Sequence, residues 1–235
     1  CGAGVAGAAA TPLIEAVRGH DRVAVNALLD QGADVNAPEA DGATALHWAA
    51  QSDDVEMIGL LLDAGADASA KNRFNVTPLE LAANNGNAAA IERLLAAGAD
   101  ANATSREGQT ALMSAAENGR VAAIEALLAH GAEVDAVEHY RGQTALMWAA
   151  GEGNTDAVRA LLAAGANVTA RSKAGFTPLL FAVRNAEVER CLLAASREIQ
   201  HQLLAELDTQ VRAKIEKHVM ADLTKLDRSE ILSHF

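Results

Sequence analysis

The chain has 235 residues, a length typical of one or two domains. Half of the residues are hydrophobic but only 3% are aromatic, so the core must be built from small side chains at close approach. The hydrophobic content argues against general disorder, and a count of only two cysteines argues against a disulfide framework. A net charge of -12 disfavours nucleic-acid binding, because phosphate contacts need clustered Lys and Arg.

Residues 1–10 are uncharged and almost all small. Ala8, Ala9 and Ala10 fit the A-x-A pattern of a signal-peptide cleavage site, which predicts a signal-peptide remnant and an exported, periplasmic protein. In a second interpretation Cys1 is the lipidated first residue of a lipid-anchored protein. In a third, residues 1–10 are an N-terminal linker at a truncation boundary and the protein is cytoplasmic.

A six-residue motif recurs six times after this segment, and its threonines stand 33, 33, 33, 34 and 33 residues apart. A Leu-Leu pair followed by Gly-Ala recurs in the same register, as in Leu94, Leu95, Gly98 and Ala99. Repeats at such a period indicate a stack of identical supersecondary units. The motif threonines are Thr11, Thr44, Thr77, Thr110, Thr144 and Thr177.

Each unit predicts two short helices. The motif threonine is a good N-cap and the proline that often follows it fits the first helical turn. A glycine such as Gly86 is expected to end the first helix, and Gly98 supplies the left-handed residue that ends the second. The turn-forming residues that follow, as in 99–109, predict a hairpin-like finger before the next motif threonine.

The motif resembles T-P-L-H-x-A of the ankyrin repeat, whose period is 33 residues. The resemblance implies an all-α ankyrin-repeat solenoid of about six helix-turn-helix repeats over residues 11–195, with five full copies and a degenerate sixth. It also implies a non-catalytic protein-protein interaction scaffold whose fingers and first helices line a concave, partner-binding face.

Residues 196–235 contain no Gly or Pro and carry apolar residues every four positions from Ile199 to Leu223. We expect a helical C-terminal extension that caps the last repeat. The alternative is an assembly segment, in which residues 197–235 mediate oligomerisation with another chain.

The sequence contains no recognisable catalytic motif, phosphate loop or dinucleotide fingerprint. The seven histidines have no spacing that pairs them on one helix face for a metal. We therefore predict that the protein is not an enzyme and has no cofactor and no metal site. His47 lies in the motif itself, where the resemblance implies a hydrogen bond to the neighbouring turn.

Candidate binding residues come from the distribution of aromatic side chains. Trp48, Trp148 and Phe181 each stand four residues after a motif threonine, and Phe74 and Tyr140 lie in fingers. Aromatic residues are preferred anchors of protein interfaces, so we predict that these five contact a partner.

Basic residues are enriched in the fingers, and Arg106 and Arg141 complete the predicted binding set. The favoured function is thus a scaffold that binds a protein of unknown identity. The alternatives are a structural or assembly subunit that acts through the C-terminal helix, and a non-catalytic fragment of an enzyme.

Overall fold

A computed structural model describes residues 11–182 and 186–205, with side chains in the last helix described from 187 to 196. These residues form twelve helices, which confirms the all-α prediction. The helices are α1 Pro12–Arg18, α2 Arg22–Asp30, α3 Ala45–Gln51, α4 Val55–Asp63, α5 Pro78–Asn85, α6 Ala88–Ala96, α7 Ala111–Glu117, α8 Val121–Ala129, α9 Ala145–Glu152, α10 Thr155–Ala163, α11 Pro178–Phe181 and α12 Ala186–Ala205.

The local signals in the motif determine where the helices begin and end. The Thr77 hydroxyl accepts a hydrogen bond from the Glu80 N–H at 3.2 Å, which caps the start of α5 ahead of Pro78. Gly86 has a φ of 87° and ends the same helix in the left-handed conformation. Gly98, with a φ of 93°, follows the end of α6. The predicted caps and glycine turns are therefore present.

The first helices of successive repeats, α1 to α11 in odd numbers, contact one another, and so do the second helices from α4 to α10. In the first five repeats the two helices of the repeat also pack against each other. Five of the six motif leucines lie between these layers and are no more than 2% exposed, as the close approach of alanine-rich helices requires. They are Leu13, Leu46, Leu79, Leu112 and Leu146, and Leu179 in the sixth repeat is half-buried.

The fingers join through the backbone. In each finger one N–H donates to a carbonyl oxygen of the preceding finger, so that adjacent repeats are also linked at this edge. Within the described residues the isolated bridge between Thr104 and Thr110 is the only β-pairing. The four bonds join Arg73 N to Asp41 O at 2.7 Å, Arg106 N to Phe74 O at 2.9 Å, His139 N to Glu107 O at 2.8 Å and Lys173 N to Arg141 O at 2.8 Å.

Replacing Gly108 with alanine tests this close approach of the fingers. Gly108 and Gly175 occupy the same finger position and share a φ of 83°, but only at Gly108 would a Cβ lie 2.8 Å from the His139 nitrogen. Gly175→Ala should lower the free energy of unfolding by about 1 kcal/mol through the left-handed φ. Gly108→Ala should cost about 1 kcal/mol more, because the neighbouring backbone must shift. Urea unfolding of both variants measures the difference, and equal losses would contradict the contact.

The chain divides into two compact units between Leu192 and Leu193. The first holds the repeat stack, and the described part of the second is the 193–205 portion of α12. None of the described helices combines the length and the apolar character needed to cross a bilayer.

Two sequence predictions concern residues outside the described ones. These are the signal-peptide or lipidation assignment of residues 1–10 and the cap or assembly role of the tail beyond residue 205. The number of six repeats and the boundaries at 11, 195 and 196 likewise stay predictions.

Candidate functional site

The three aromatic residues predicted on first helices occupy equivalent positions. Trp48, Trp148 and Phe181 lie in α3, α9 and α11, and each is half-buried. The finger residues are more open, with Phe74 48% and Tyr140 80% exposed. The surface formed by fingers and first helices therefore presents aromatic side chains, but their surroundings differ from one repeat to the next.

The indole ring of Trp48 is covered by two side chains of the same chain, Arg18 and Glu39. The Arg18 guanidinium carbon stacks 3.7 Å from the centre of the indole ring, in a cation–π contact. Glu39 bridges the two groups, because its Oε2 accepts one hydrogen bond from Trp48 Nε1 and one from Arg18 Nη2, both at 2.8 Å. Arg18, Glu39 and Trp48 form a closed cluster at the junction of the first two repeats.

Trp148 lacks this arrangement. Its indole nitrogen is buried and has no hydrogen-bond partner among the described residues. A buried donor without an acceptor costs about 1–3 kcal/mol, so this position is unsatisfied as it stands.

The orientation of one glutamate explains the difference between the two tryptophans. Glu39 and Glu138 are equivalent, since each donates its backbone N–H to the carbonyl of the residue before the motif threonine. In the finger of Glu39, Asp41 accepts the Ala43 N–H and leaves the glutamate free to face Trp48. The Glu138 carboxylate instead accepts three N–H groups of its own finger and makes no hydrogen bond to the indole. The donors are Tyr140 N, Arg141 N and Gln143 N.

These three bonds also set the charge of Glu138. Burial opposes ionisation, but the three backbone N–H groups and the nearby Lys173 outweigh it and lower the pKa of Glu138. The carboxylate therefore stays ionised at neutral pH.

A cavity of about 360 Å³ opens beside Trp148. A second cavity of about 520 Å³ adjoins it, and Tyr140 and Arg141 line both. We call them the Trp148 cavity and the Phe181 cavity, and together the Tyr140 groove. The Trp148 cavity is lined by Glu107, Gln109, Glu138, Tyr140, Arg141 and Trp148. The Phe181 cavity is lined by Tyr140, Arg141, Gln143, Ser172, Lys173, Ala174, Phe176 and Phe181.

Aromatic side chains continue along the groove. The rings of Phe176 and Phe181 meet edge to face with their centres 6.1 Å apart, and Phe181 lies against Gly151, where a Cβ would be 3.6 Å from its ring. The structure thus brings four of the seven predicted binding residues together in one groove. They are Tyr140, Arg141, Trp148 and Phe181.

The remaining predicted residues do not line this groove. Arg106 donates from Nη2 to the Arg73 carbonyl at 2.9 Å, so its guanidinium stabilises the finger edge. The Arg73 guanidinium carbon lies 4.8 Å from the Phe74 ring centre. Together with Trp48, which its own chain covers, Phe74 and Arg106 form a separate part of the same face.

Sequence reasoning missed the residues that distinguish the two tryptophans. Arg18 and Glu117 both stand seven residues after a motif threonine and both end a first helix. The aligned repeats therefore showed that a basic residue in one repeat is replaced by an acidic residue in the other. The direction of the Glu138 side chain could not be predicted from the sequence, because it depends on hydrogen bonds in a finger with one extra residue.

Two residues at one motif position have shifted pKa values. His47 accepts the Thr44 N–H at Nδ1 at 3.2 Å and bonds to the Val76 carbonyl through Nε2 at 3.1 Å, as the resemblance implied. Burial lowers the pKa of His47 despite that carbonyl and Asp41. Glu80 occupies the same motif position, and burial together with the charge of Glu107 raises its pKa to about 7.

The described residues contain no group of three or more His, Cys, Asp or Glu side chains arranged to hold a metal ion. Stacked two-helix units with linked fingers define an all-α repeat protein. Models of ankyrin repeats match residues 3–72, 64–138 and 135–203, and the chain belongs to the ankyrin-repeat family. Ankyrin repeats generally mediate protein–protein interaction. A search of curated proteins found no match to the chain.

Proposed function

We propose that this protein is a non-catalytic scaffold that binds a protein partner on its finger and first-helix face, with the Tyr140 groove as the main contact. The observation that carries the proposal is the pair of adjoining cavities that share Tyr140 and Arg141, one of them lined by Trp148 and the other by Phe181. Binding sites in proteins are concave and largely apolar, with a few polar groups that fix orientation.

The chemistry of the groove suits a peptide segment of a folded or extended partner. Half-buried Trp148 and Phe181 already have ordered side chains, so they lose little conformational entropy when a partner covers them. Arg141 adds a charged group whose effect on affinity should be small and whose effect on association rate and salt dependence should be larger. Trp48, Phe74 and Arg106 extend the proposed surface toward the N-terminal repeats.

A pair of alanine variants tests the location of the binding surface. Tyr140 is 80% exposed in the groove and Val23 is 81% exposed on the second helix α2, so neither substitution should disturb folding. The partner is first isolated with the unmodified protein from its source cells, and its Kd is then measured by calorimetry. Tyr140→Ala should weaken binding about tenfold or more, as expected for an aromatic anchor.

Val23→Ala is the matched control and should leave the Kd unchanged, because it truncates a side chain of the same fractional exposure away from the groove. If Val23→Ala weakened binding and Tyr140→Ala did not, the partner would bind the second-helix face and the proposed surface would be wrong.

A further inference from the structure

We infer that the Trp148 cavity receives a basic side chain, the guanidinium of an arginine in a segment of the protein partner. This inference rests on the proposed function, because it names the chemistry of the partner at one end of the Tyr140 groove.

The chain itself contains the occupied form of such a site. At Trp48 a guanidinium lies against the indole ring at 3.7 Å and is held by a carboxylate at 2.8 Å. Arg18, which supplies the guanidinium, is the last residue of the preceding first helix, and its side chain is only 39% exposed. An arginine therefore fits beside a tryptophan at this repeat position.

The equivalent site at Trp148 has the aromatic ring and acidic side chains, but no guanidinium comes from the end of the preceding first helix. Glu117 ends α7 at the position that Arg18 occupies in α1, so no guanidinium reaches the ring from that helix end. A carboxylate at the Arg18 position changes the local charge from positive to negative.

The lining of the cavity favours a cation over an anion. Glu107 and Glu138 both line it, and neither forms a side-chain ion pair among the described residues. Tyr140 presents a second aromatic ring, and aromatic faces attract guanidinium groups. An acidic side chain entering the cavity would instead meet two carboxylates at short range, which is unfavourable.

Arg141 is the one cationic side chain in this lining, against the two carboxylates of Glu107 and Glu138. It also lines the Phe181 cavity, where Lys173 is the second cation, so positive charge collects at that end of the groove. The Tyr140 groove is thus acidic beside Trp148 and basic beside Phe181. The net charge of -12 further favours the approach of a basic segment.

Titration with small probes tests the inference without the natural partner. The protein has two tryptophans, so a nitrogen-15 NMR spectrum of the full chain shows two indole signals, which a Trp48→Phe variant assigns. The probes are N-acetyl-arginine amide and its uncharged isostere, N-acetyl-citrulline amide. We expect the arginine probe to shift the Trp148 signal in a saturable way and the citrulline probe to leave it unmoved.

Two variants sharpen this titration. Glu107→Gln should weaken the response of Trp148 to the arginine probe roughly threefold, the size typical of one exposed ion pair. Arg18→Ala should open the cluster at Trp48, so that the Trp48 signal, silent in the unmodified protein, also responds to arginine.

Three results would overturn the inference: no shift of Trp148 with arginine, an equal shift with citrulline, or a Trp48 signal that stays silent in Arg18→Ala. If any of these occurs while Tyr140→Ala still weakens the natural partner, the groove remains the binding surface and only the basic occupant is wrong. If Tyr140→Ala leaves the partner's Kd unchanged, the proposed function itself fails.

Discussion

Replacing Leu112 with alanine should lower the free energy of unfolding by about 2–5 kcal/mol, the range found for buried leucines truncated to alanine. Leu112 is 1% exposed and belongs to α7, which packs against α5 on one side and α9 on the other. A cavity there weakens two repeat interfaces at once. Because the stability of a repeat array is approximately a sum over such interfaces, the loss should appear in the global transition measured by urea unfolding.

Leu128→Ala is the matched control in the same repeat. Leu128 lies in α8 and is half-buried, so its truncation removes less apolar area from contact and should cost about 1 kcal/mol or less. Equal losses for the two variants would show that the motif leucines are not the principal core, and a loss below about 0.5 kcal/mol at Leu112 would contradict the packing between first helices.

The fold was predictable because its determinants are local and repeated. The Thr77 cap, the proline after it and the glycine at 86 each set a helix boundary within a few residues, and the same signals recur in register. Each repeat contacts its neighbours in the same manner, so one unit predicts the packing of the next.

The Tyr140 groove was only partly predictable. The equivalence of Trp148 and Phe181 follows from the repeat alignment, and the two residues line its adjoining cavities. The alignment also placed Trp48 in that group, yet Trp48 is covered by Arg18 from the preceding repeat. Whether a tryptophan is covered depends on which side chains of the same chain reach it and on which finger N–H groups need an acceptor. Glu39 accepts from the Trp48 indole, whereas Glu138 accepts from the backbone of its own finger.

His47 and Glu80 occupy the same motif position, but folding shifts their pKa values in opposite directions. For His47 the pKa is lowered in the folded state, so the unfolded chain binds more protons and stability is lost as the pH falls below about 6.5. For Glu80 the pKa is raised from 4.5 to about 7, so the folded chain binds more protons. The stability from Glu80 is therefore present below pH 4.5 and is lost as the pH rises through 7.

Glu80→Gln should remove the loss of stability that the ionisation of Glu80 causes as the pH rises. Each unit of pKa shift corresponds to about 1.4 kcal/mol, so ionisation of Glu80 should lower the free energy of unfolding by about 2–3 kcal/mol between pH 4.5 and pH 8.5, allowing for its partial exposure. Urea unfolding of the unmodified protein and of Glu80→Gln at several pH values gives the difference directly. Shifts of His47, Asp54 and Glu138 are common to both proteins and cancel in this difference.

Glu80→His provides the second half of the test, because it reproduces the motif residue of the preceding repeat. His47 bonds to the Val76 carbonyl, and Gln109 stands at the equivalent position one repeat later, 33 residues after Val76. A histidine at position 80 should therefore donate a hydrogen bond to the Gln109 carbonyl. The pH dependence should then change sign: relative to Glu80→Gln, this variant should lose stability as the pH falls below 6.5 rather than as it rises through 7. A difference between the unmodified protein and Glu80→Gln that stays constant with pH would mean that Glu80 ionises normally in the folded state.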